Sequence, residues 1–160
     1  MLHEELEFRP INPLADKDTI IRFRKDSYLI SFGSIDRFGE EHGYIEKIRN
    51  RIESFPEGYV LVWCKGQPIG QIEMRIIAYE GTRIGYVHLY YLTAPYRNKG
   101  IGKYLVDYAE AYFRNHKVAE YHLRVSPTNT RAVTFYQKMR MEKLKDEQHD
   151  YLVWRMKKNL

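Results

Sequence analysis

The residues Arg97-Asn98-Lys99-Gly100-Ile101-Gly102-Lys103 set two glycines, one residue apart, among three cations. The apolar run Tyr86 to Leu92 precedes them, and an amphipathic helical pattern follows. A strand that turns through glycines into a helix leaves the first N–H groups of that helix without intrahelical acceptors. The helix dipole favours negative charge at the same end. Glycine also removes the Cβ that would keep a bulky anion at a distance. The stretch therefore reads as a cradle for a pyrophosphate. A Walker-type loop needs Ser or Thr after Gly-Lys to hold magnesium, but Gly102-Lys103 is followed by Tyr104. A dinucleotide fingerprint needs a third glycine where this chain has Leu105.

Asn129-Thr130-Arg131-Ala132-Val133-Thr134-Phe135-Tyr136 supplies a second set of groups. Asn129 follows the breaker Ser126-Pro127-Thr128 and suits a helix N-cap. Tyr136 carries a phenol that holds its proton at neutral pH and can give it to a departing anion. Phe135-Tyr136 equally suits the aromatic core of an amphipathic helix. His88 lies on the strand that leads into the glycine loop, where an imidazole can accept a proton near pH 7. Glu73 stands on the polar face of the neighbouring strand and can attract an ammonium group or relay its proton through water. Both also fit purely structural roles.

Arg-x-x-Gly-x-Gly between a strand and a helix, followed downstream by Asn-x-x-Ala-x-x-Phe-Tyr, resembles the GNAT N-acetyltransferases. The resemblance covers residues 58 to 157 and is topological before that. One departure precedes the loop: many members have Val-x-Pro-Glu-Tyr-Arg, whereas this chain has Leu92-Thr93-Ala94-Pro95-Tyr96-Arg97, with the proline displaced by one position. The resemblance implies acetyl-CoA as co-substrate. It implies that Arg97, Asn98, Lys99, Gly100, Ile101, Gly102 and Lys103 clamp the coenzyme's pyrophosphate. It places Leu92 and Thr93 beside the pantetheine arm, Asn129 on the coenzyme, and Tyr136 as the acid that protonates the CoA thiolate or as a coenzyme contact. A backbone N–H at the strand end would stabilise negative charge developing on the thioester oxygen. His88 or Glu73 would serve as base, or water would remove the proton.

Composition narrows the class. At 160 residues the chain is long enough for one domain with a full core, and 44% hydrophobic with 29% charged residues belongs to a soluble globular protein. No apolar run approaches the ~20 residues of a membrane helix. Met1-Leu2-His3-Glu4-Glu5 lacks an apolar signal core, and the single cysteine, Cys64, excludes internal disulfides, so a reducing cytoplasm is expected. Cys64 sits in an apolar strand, as a buried inert thiol would. The six histidines show no paired spacing, so no metal is expected. The 26 Lys and Arg against 21 Asp and Glu are spread along the chain, which fits attraction for a polyanionic coenzyme better than a nucleic-acid surface.

The elements follow from periodicity. Leu6 to Ile11 alternates like a strand. Asp18 is placed to cap a helix running to about Ile30, closed by Gly33, and a second helix spans Gly39 to Glu53 with Tyr44, Ile45, Ile48 and Ile52 on one face. Strands follow at Tyr59 to Cys64, Ile69 to Tyr79 and Ile84 to Leu92. In the second of these Ile72, Met74, Ile76 and Ala78 oppose Gln71, Glu73 and Arg75. Leu105, Tyr108, Ala109 and Tyr112 form the apolar stripe of a helix from Lys103 to Arg114. Tyr121 to Val125 is a strand joined by a right-handed parallel crossover. A helix from Asn129 to Met139 and two short strands, Met141 to Lys145 and Tyr151 to Met156, complete the chain, leaving Lys157-Lys158 as a solvated tail. The expected fold is a single α/β domain over residues 1–160, with a mixed, largely antiparallel central sheet flanked by helices.

The leading expectation is an enzyme that moves an acetyl group to a primary amine: a polyamine, an amino acid or a protein amine. A non-catalytic acyl-CoA-binding module and a basic nucleic-acid-binding domain are the rivals. No membrane partner is expected, and a homodimer is compatible with the chain. Glu4, Glu5, Asp36, Glu40 and Glu41 near the variable helical region would suit a cationic acceptor, or are ordinary solvated charges.

Overall fold

A computed structural model describes residues 5–160. Its strands are β1 (Leu6–Pro10), β2 (Tyr59–Cys64), β3 (Gln67–Tyr79), β4 (Thr82–Leu92), β5 (Glu120–Val125), β6 (Glu142–Gln148) and β7 (Leu152–Asn159). They form one seven-stranded sheet in the order β1-β2-β3-β4-β5-β7-β6. Four α-helices accompany it: α1 (Lys17–Phe32), α2 (Glu41–Ser54), α3 (Gly102–Asn115) and α4 (Thr130–Lys138). Lys65-Gly66 and Glu80-Gly81 make the two tight hairpin turns, all four residues at positive φ, as a two-residue turn matched to strand twist requires. Every neighbouring pair is antiparallel except β4 and β5, which the α3 crossover joins in parallel.

Both sheet faces are covered. Leu105, Ala109 and Phe113 of α3 pack on one face with Val60, Ile72 and Met74. Ile20 and Phe23 of α1, with Tyr44 and Ile48 of α2, pack on the other with Tyr59, Leu61 and Leu89. This is why the polar side of β3 is not a solvent side: Gln71 and Glu73 are as buried as Ile72 and Met74 opposite them. Alternation assigns residues to faces, and the helices decide which faces see water.

The observed ends differ where side chains compete for backbone groups. Asn12 Oδ1 accepts from the N–H groups of Leu14 and Ala15, and α1 starts at Lys17, so Asp18 lies in its first turn instead of capping it. Gly33 closes α1 in the left-handed conformation, with its N–H on Leu29 O. Cys64 is buried. The expected solvated tail at Lys157-Lys158 is corrected: both residues lie in β7 paired with β5, and Lys158 Nζ sits 2.7 Å from Glu110 Oε2. No helix among the described residues is long and apolar enough to cross a membrane.

Candidate active site

β4 and β5 pair only at Gly85–Tyr121, Tyr86–His122 and Val87–Leu123. Beyond that point β4 runs on to Leu92 and β5 to Val125 without a ladder between them, so the strands part in the middle of the sheet. At the same place the β3–β4 register slips: Glu73 faces Leu89 and Met74 faces Val87, leaving His88 as the extra residue of a bulge. A cavity of about 780 Å³ occupies the opening. Its lining comes from both sheet faces: Arg24 and Tyr28 of α1 on one side, Gly100, Gly102, Phe135 and Tyr136 on the other.

The glycine loop forms the second side. Asn98 and Gly100 take φ of 60° and 77°, and a Cβ added at Gly100 would meet nothing within 4 Å. Among the described residues, no acceptor engages the backbone N–H groups of residues 98 to 103. Several unpaired donors thus lie at the start of α3, where a helix N-terminus favours an anion. Ile101 is buried in the core and anchors the loop. Gly102 serves a different purpose from Gly100: a Cβ there would lie 2.9 Å from the Phe135 ring, so its smallness lets α4 pack against the first turn of α3. Lys99 and Lys103 are exposed and without an ion pair among the described residues. Asn129 caps α4, its Oδ1 accepting from Ala132 N–H at 3.3 Å, and also lines the cavity.

Three residues expected at the coenzyme are held by the protein itself. Arg97 Nε donates to Leu92 O at 2.8 Å, and its Nη2 donates to Asp26 Oδ2 at 2.9 Å. Thr93 N–H donates to Ile69 O at 2.8 Å. Arg97 is therefore a strut between the loop and α1, and the unpaired strand edge lies earlier, in the residues of β4 that follow Val87.

Tyr136 lines the cavity half-buried, and among the described residues no group hydrogen-bonds its Oη. Burial pushes its pKa up, so the phenol is protonated at neutral pH. Tyr90, its ring 6.1 Å from that of Tyr136, has a buried Oη with no partner in hydrogen-bonding geometry. His88 accepts a hydrogen bond at Nε2 from Arg75 Nε, 3.0 Å away. Burial, with Arg51, Arg75, Arg24 and Lys47 around it, pushes its pKa down to about 2. The imidazole is thus neutral with one lone pair already used. Glu73 does not line the large cavity. Its Oε2 accepts from Tyr44 Oη at 2.6 Å and from Gln71 Nε2 at 2.9 Å, at the wall of an adjoining cavity of about 330 Å³ that shares Arg24, Tyr28 and His88 with the first.

Sequence reasoning passed over Tyr90 and the cations Arg24, Arg124, Arg131 and Lys138, all of which line the large cavity. For Arg131 and Lys138 a signal existed: with Phe135 they recur at i, i+4 and i+7 on α4, one face of a helix. For Arg24 and Arg124 there was none, because only the packing of α1 and β5 brings them here. The loop donors, the open space over Gly100 and the cationic lining fit a polyanionic coenzyme with an elongated arm. No cluster of three or more metal-binding side chains occurs among the described residues.

A parted parallel pair beside a bulge, with an anion cradle at the following helix, is the arrangement expected from the resemblance to acetyl-CoA-dependent transferases. The acetyltransferase (GNAT) family model matches residues 26–140. The chain belongs to this family, and the activity of that family, acetyl transfer from acetyl-CoA to an amine, is its activity. No curated protein matches the sequence significantly. Among solved structures, an acetyltransferase from Thermus thermophilus superposes with a TM-score of 0.78 at 18% identity, covering 100% of both chains. The PaiA N-acetyltransferase from Thermoplasma acidophilum in complex with coenzyme A gives 0.69 at 23% identity, over 97% of this chain and 99% of that one. Arabidopsis thaliana Naa50 in complex with the bisubstrate analogue CoA-Ac-MVNAL gives 0.70 at 21% identity, over 98% and 99%.

Proposed function

We propose that this enzyme acetylates a primary amine that enters from the α1–α2 side of the parted strands, while acetyl-CoA lies on the α3–α4 side. The observation that carries this reading is the row of unpaired N–H donors at residues 98–103, set beside the opening between β4 and β5. Those donors and the charges of Lys99 and Lys103 hold the diphosphate, and the free edge of β4 after Val87 receives the pantetheine arm. The neutral amine attacks the thioester carbon. The C–N bond forms, the C–S bond breaks, and Tyr136 Oη gives its proton to the departing sulfur. The ammonium proton leaves through cavity water, since His88 has one ring nitrogen engaged by Arg75 and Glu73 lies behind Tyr44 and Gln71. Glu73 supplies negative charge beside the acceptor and His88 shapes the bulge. The chain works as one domain in a reducing, cytoplasmic setting, in keeping with its single buried thiol. Its partners are acetyl-CoA and the amine, without nucleic acid, membrane or metal, and a homodimer is compatible with the chain.

The test is thiol release from saturating acetyl-CoA across a panel of amines. Saturable, amine-dependent release with the acetylated amine identified by mass supports the function. Tight acetyl-CoA binding with no transfer to any amine would mark a non-catalytic binding module.

A further inference from the structure

The large cavity is one-sided in charge. Arg24, Arg37, Arg97, Arg124, Arg131 and Lys138 line it, and among the described residues no Asp or Glu does. Three of these cations are already balanced by neighbours outside the lining: Arg37 by Asp150 at 2.6 Å, Arg97 by Asp26 at 2.9 Å and Arg124 by Glu147 at 2.7 Å. Arg131 and Lys138 belong to α4, on the coenzyme side. That leaves Arg24 on the acceptor side. Its Nη1 lies 3.4 Å from His88 O at the bulge, its guanidinium stands 5.1 Å above the Tyr28 ring, and among the described residues no carboxylate is within ion-pair distance of it, Glu73 acting on it only at longer range.

The adjoining cavity extends the pattern. It carries Lys47 and Arg51 beside Arg24, against Glu40 and the hydrogen-bonded Glu73. Of the acidic residues expected to attract a cationic acceptor, Glu40 is in this lining, whereas Asp36, Glu41 and Glu5 line neither cavity. Glu41 is paired with Lys25 at 2.6 Å, Glu5 with Lys65 at 3.6 Å, and Glu4 lies outside the described residues. Arg24, Lys47 and Arg51 surround His88 at the bulge, so cations dominate the field there. A positive field favours the neutral, nucleophilic form of an amine but repels its ammonium form on approach. An anionic group on the same molecule removes that repulsion.

We propose that the acceptor is an amine bearing a carboxylate, and that Arg24 receives this carboxylate beside the bulge. This deepens, and rests on, the acetyl-transfer function proposed above. A planar guanidinium left without a paired carboxylate, within reach of both cavities, matches a carboxylate in geometry as well as charge. The carboxylate can belong to a free amino acid or to an acidic residue at a peptide N-terminus, and the experiment separates the two.

The test compares kcat/KM for C-terminally amidated peptides beginning with Glu, Gln and Lys, and for free alanine and alaninamide. The Glu-first peptide, the free acid, or both should exceed their amide isosteres about ten- to a hundredfold, the range for a hydrogen bond to a charged group. The peptide and free-acid arms then name the source. Arg24→Gln should collapse the acid-to-amide ratio toward one, Arg24→Lys should keep part of it, and Arg24→Glu should shift preference toward the Lys-first peptide, with calorimetric CoA affinity reporting an intact cleft. Equal rates for acid and amide probes in both arms, a preference for the Lys-first peptide in the wild type, or an unchanged ratio in Arg24→Gln would each overturn the proposal while leaving acetyl transfer standing. Absence of transfer to every amine would overturn the function itself, and the proposal with it.

Discussion

Arg97 reaches from the glycine loop to Asp26 on α1, its Nη2 2.9 Å from Oδ2, while its Nε holds Leu92 O at the end of β4. Tyr91 Oη donates to the same carboxylate oxygen, so one acidic group on α1 fixes both the last strand residues and the loop. Electrostatics and positioning predict opposite outcomes here. Removing the Asp26 charge leaves the cleft more positive and by charge alone would tighten a polyanion. If the strut matters more, Asp26→Asn weakens acetyl-CoA by roughly three- to tenfold, about 1 kcal/mol. Calorimetry decides it by the sign of the change.

Lys99 and Lys103 stand exposed at the loop with no partner among the described residues to give up. Their replacement by Gln should weaken CoA and flatten the salt dependence of its affinity, while the thermal midpoint stays nearly constant. Titrations at two ionic strengths measure both effects. An unaltered affinity would mean that the backbone donors alone hold the diphosphate.

The two loop glycines should fail differently. Gly102→Ala drives a methyl into Phe135 at 2.9 Å and should destabilise the fold by about 1–3 kcal/mol, the cost of overpacking. Phe135→Leu in the same chain should recover part of that. Gly100→Ala meets open space and costs only about 1–2 kcal/mol for a left-handed alanine. Its new methyl projects into the space over the loop, so its effect on CoA affinity should exceed its effect on stability. Chemical denaturation beside calorimetry separates the two.

Tyr136→Phe keeps the ring and removes the phenolic proton it offers at the cavity wall. The variant should lose about 10²–10⁴-fold in kcat with KM for acetyl-CoA little changed, as expected for a general acid. A raised KM with a small loss of kcat would make the residue a coenzyme contact. Tyr90, whose buried hydroxyl lies nearby, is the control: Tyr90→Phe should not mimic the defect.

His88 gives a signature in pH. Its folded pKa of about 2 lies below the ordinary 6.5, because burial and the surrounding Arg51, Arg75, Arg24 and Lys47 disfavour the imidazolium. Below pH 6.5 the unfolded chain binds a proton that the folded chain refuses. The stability His88 contributes is therefore fully present above pH 6.5 and is lost progressively as pH falls toward 2. His88→Gln should make the thermal midpoint less sensitive to acid between pH 6.5 and 4.5, and no limb of the pH–rate profile near 6.5 should belong to this residue.

The sequence alone determined the local devices. Gly100 and Gly102 marked a strand-to-helix turn because few residues other than glycine tolerate φ near +77° or a ring at Cβ distance, and that intolerance is written in residue type. Asn129 announced its cap, and Gly33 its helix end, for equally local reasons. Tertiary structure decided which faces were dry and which charges were free. Gln71 and Glu73 looked solvent-facing until α1 and α2 covered them, and Lys157 and Lys158 looked like a tail until β7 paired with β5. Arg97 carried the right charge in the right motif, yet Asp26, seventy-one residues earlier, turned it into a strut. Arg24 carried no motif at all. Whether a cation meets a carboxylate or an open cavity depends on contacts between distant segments, and pattern along the chain does not encode those contacts.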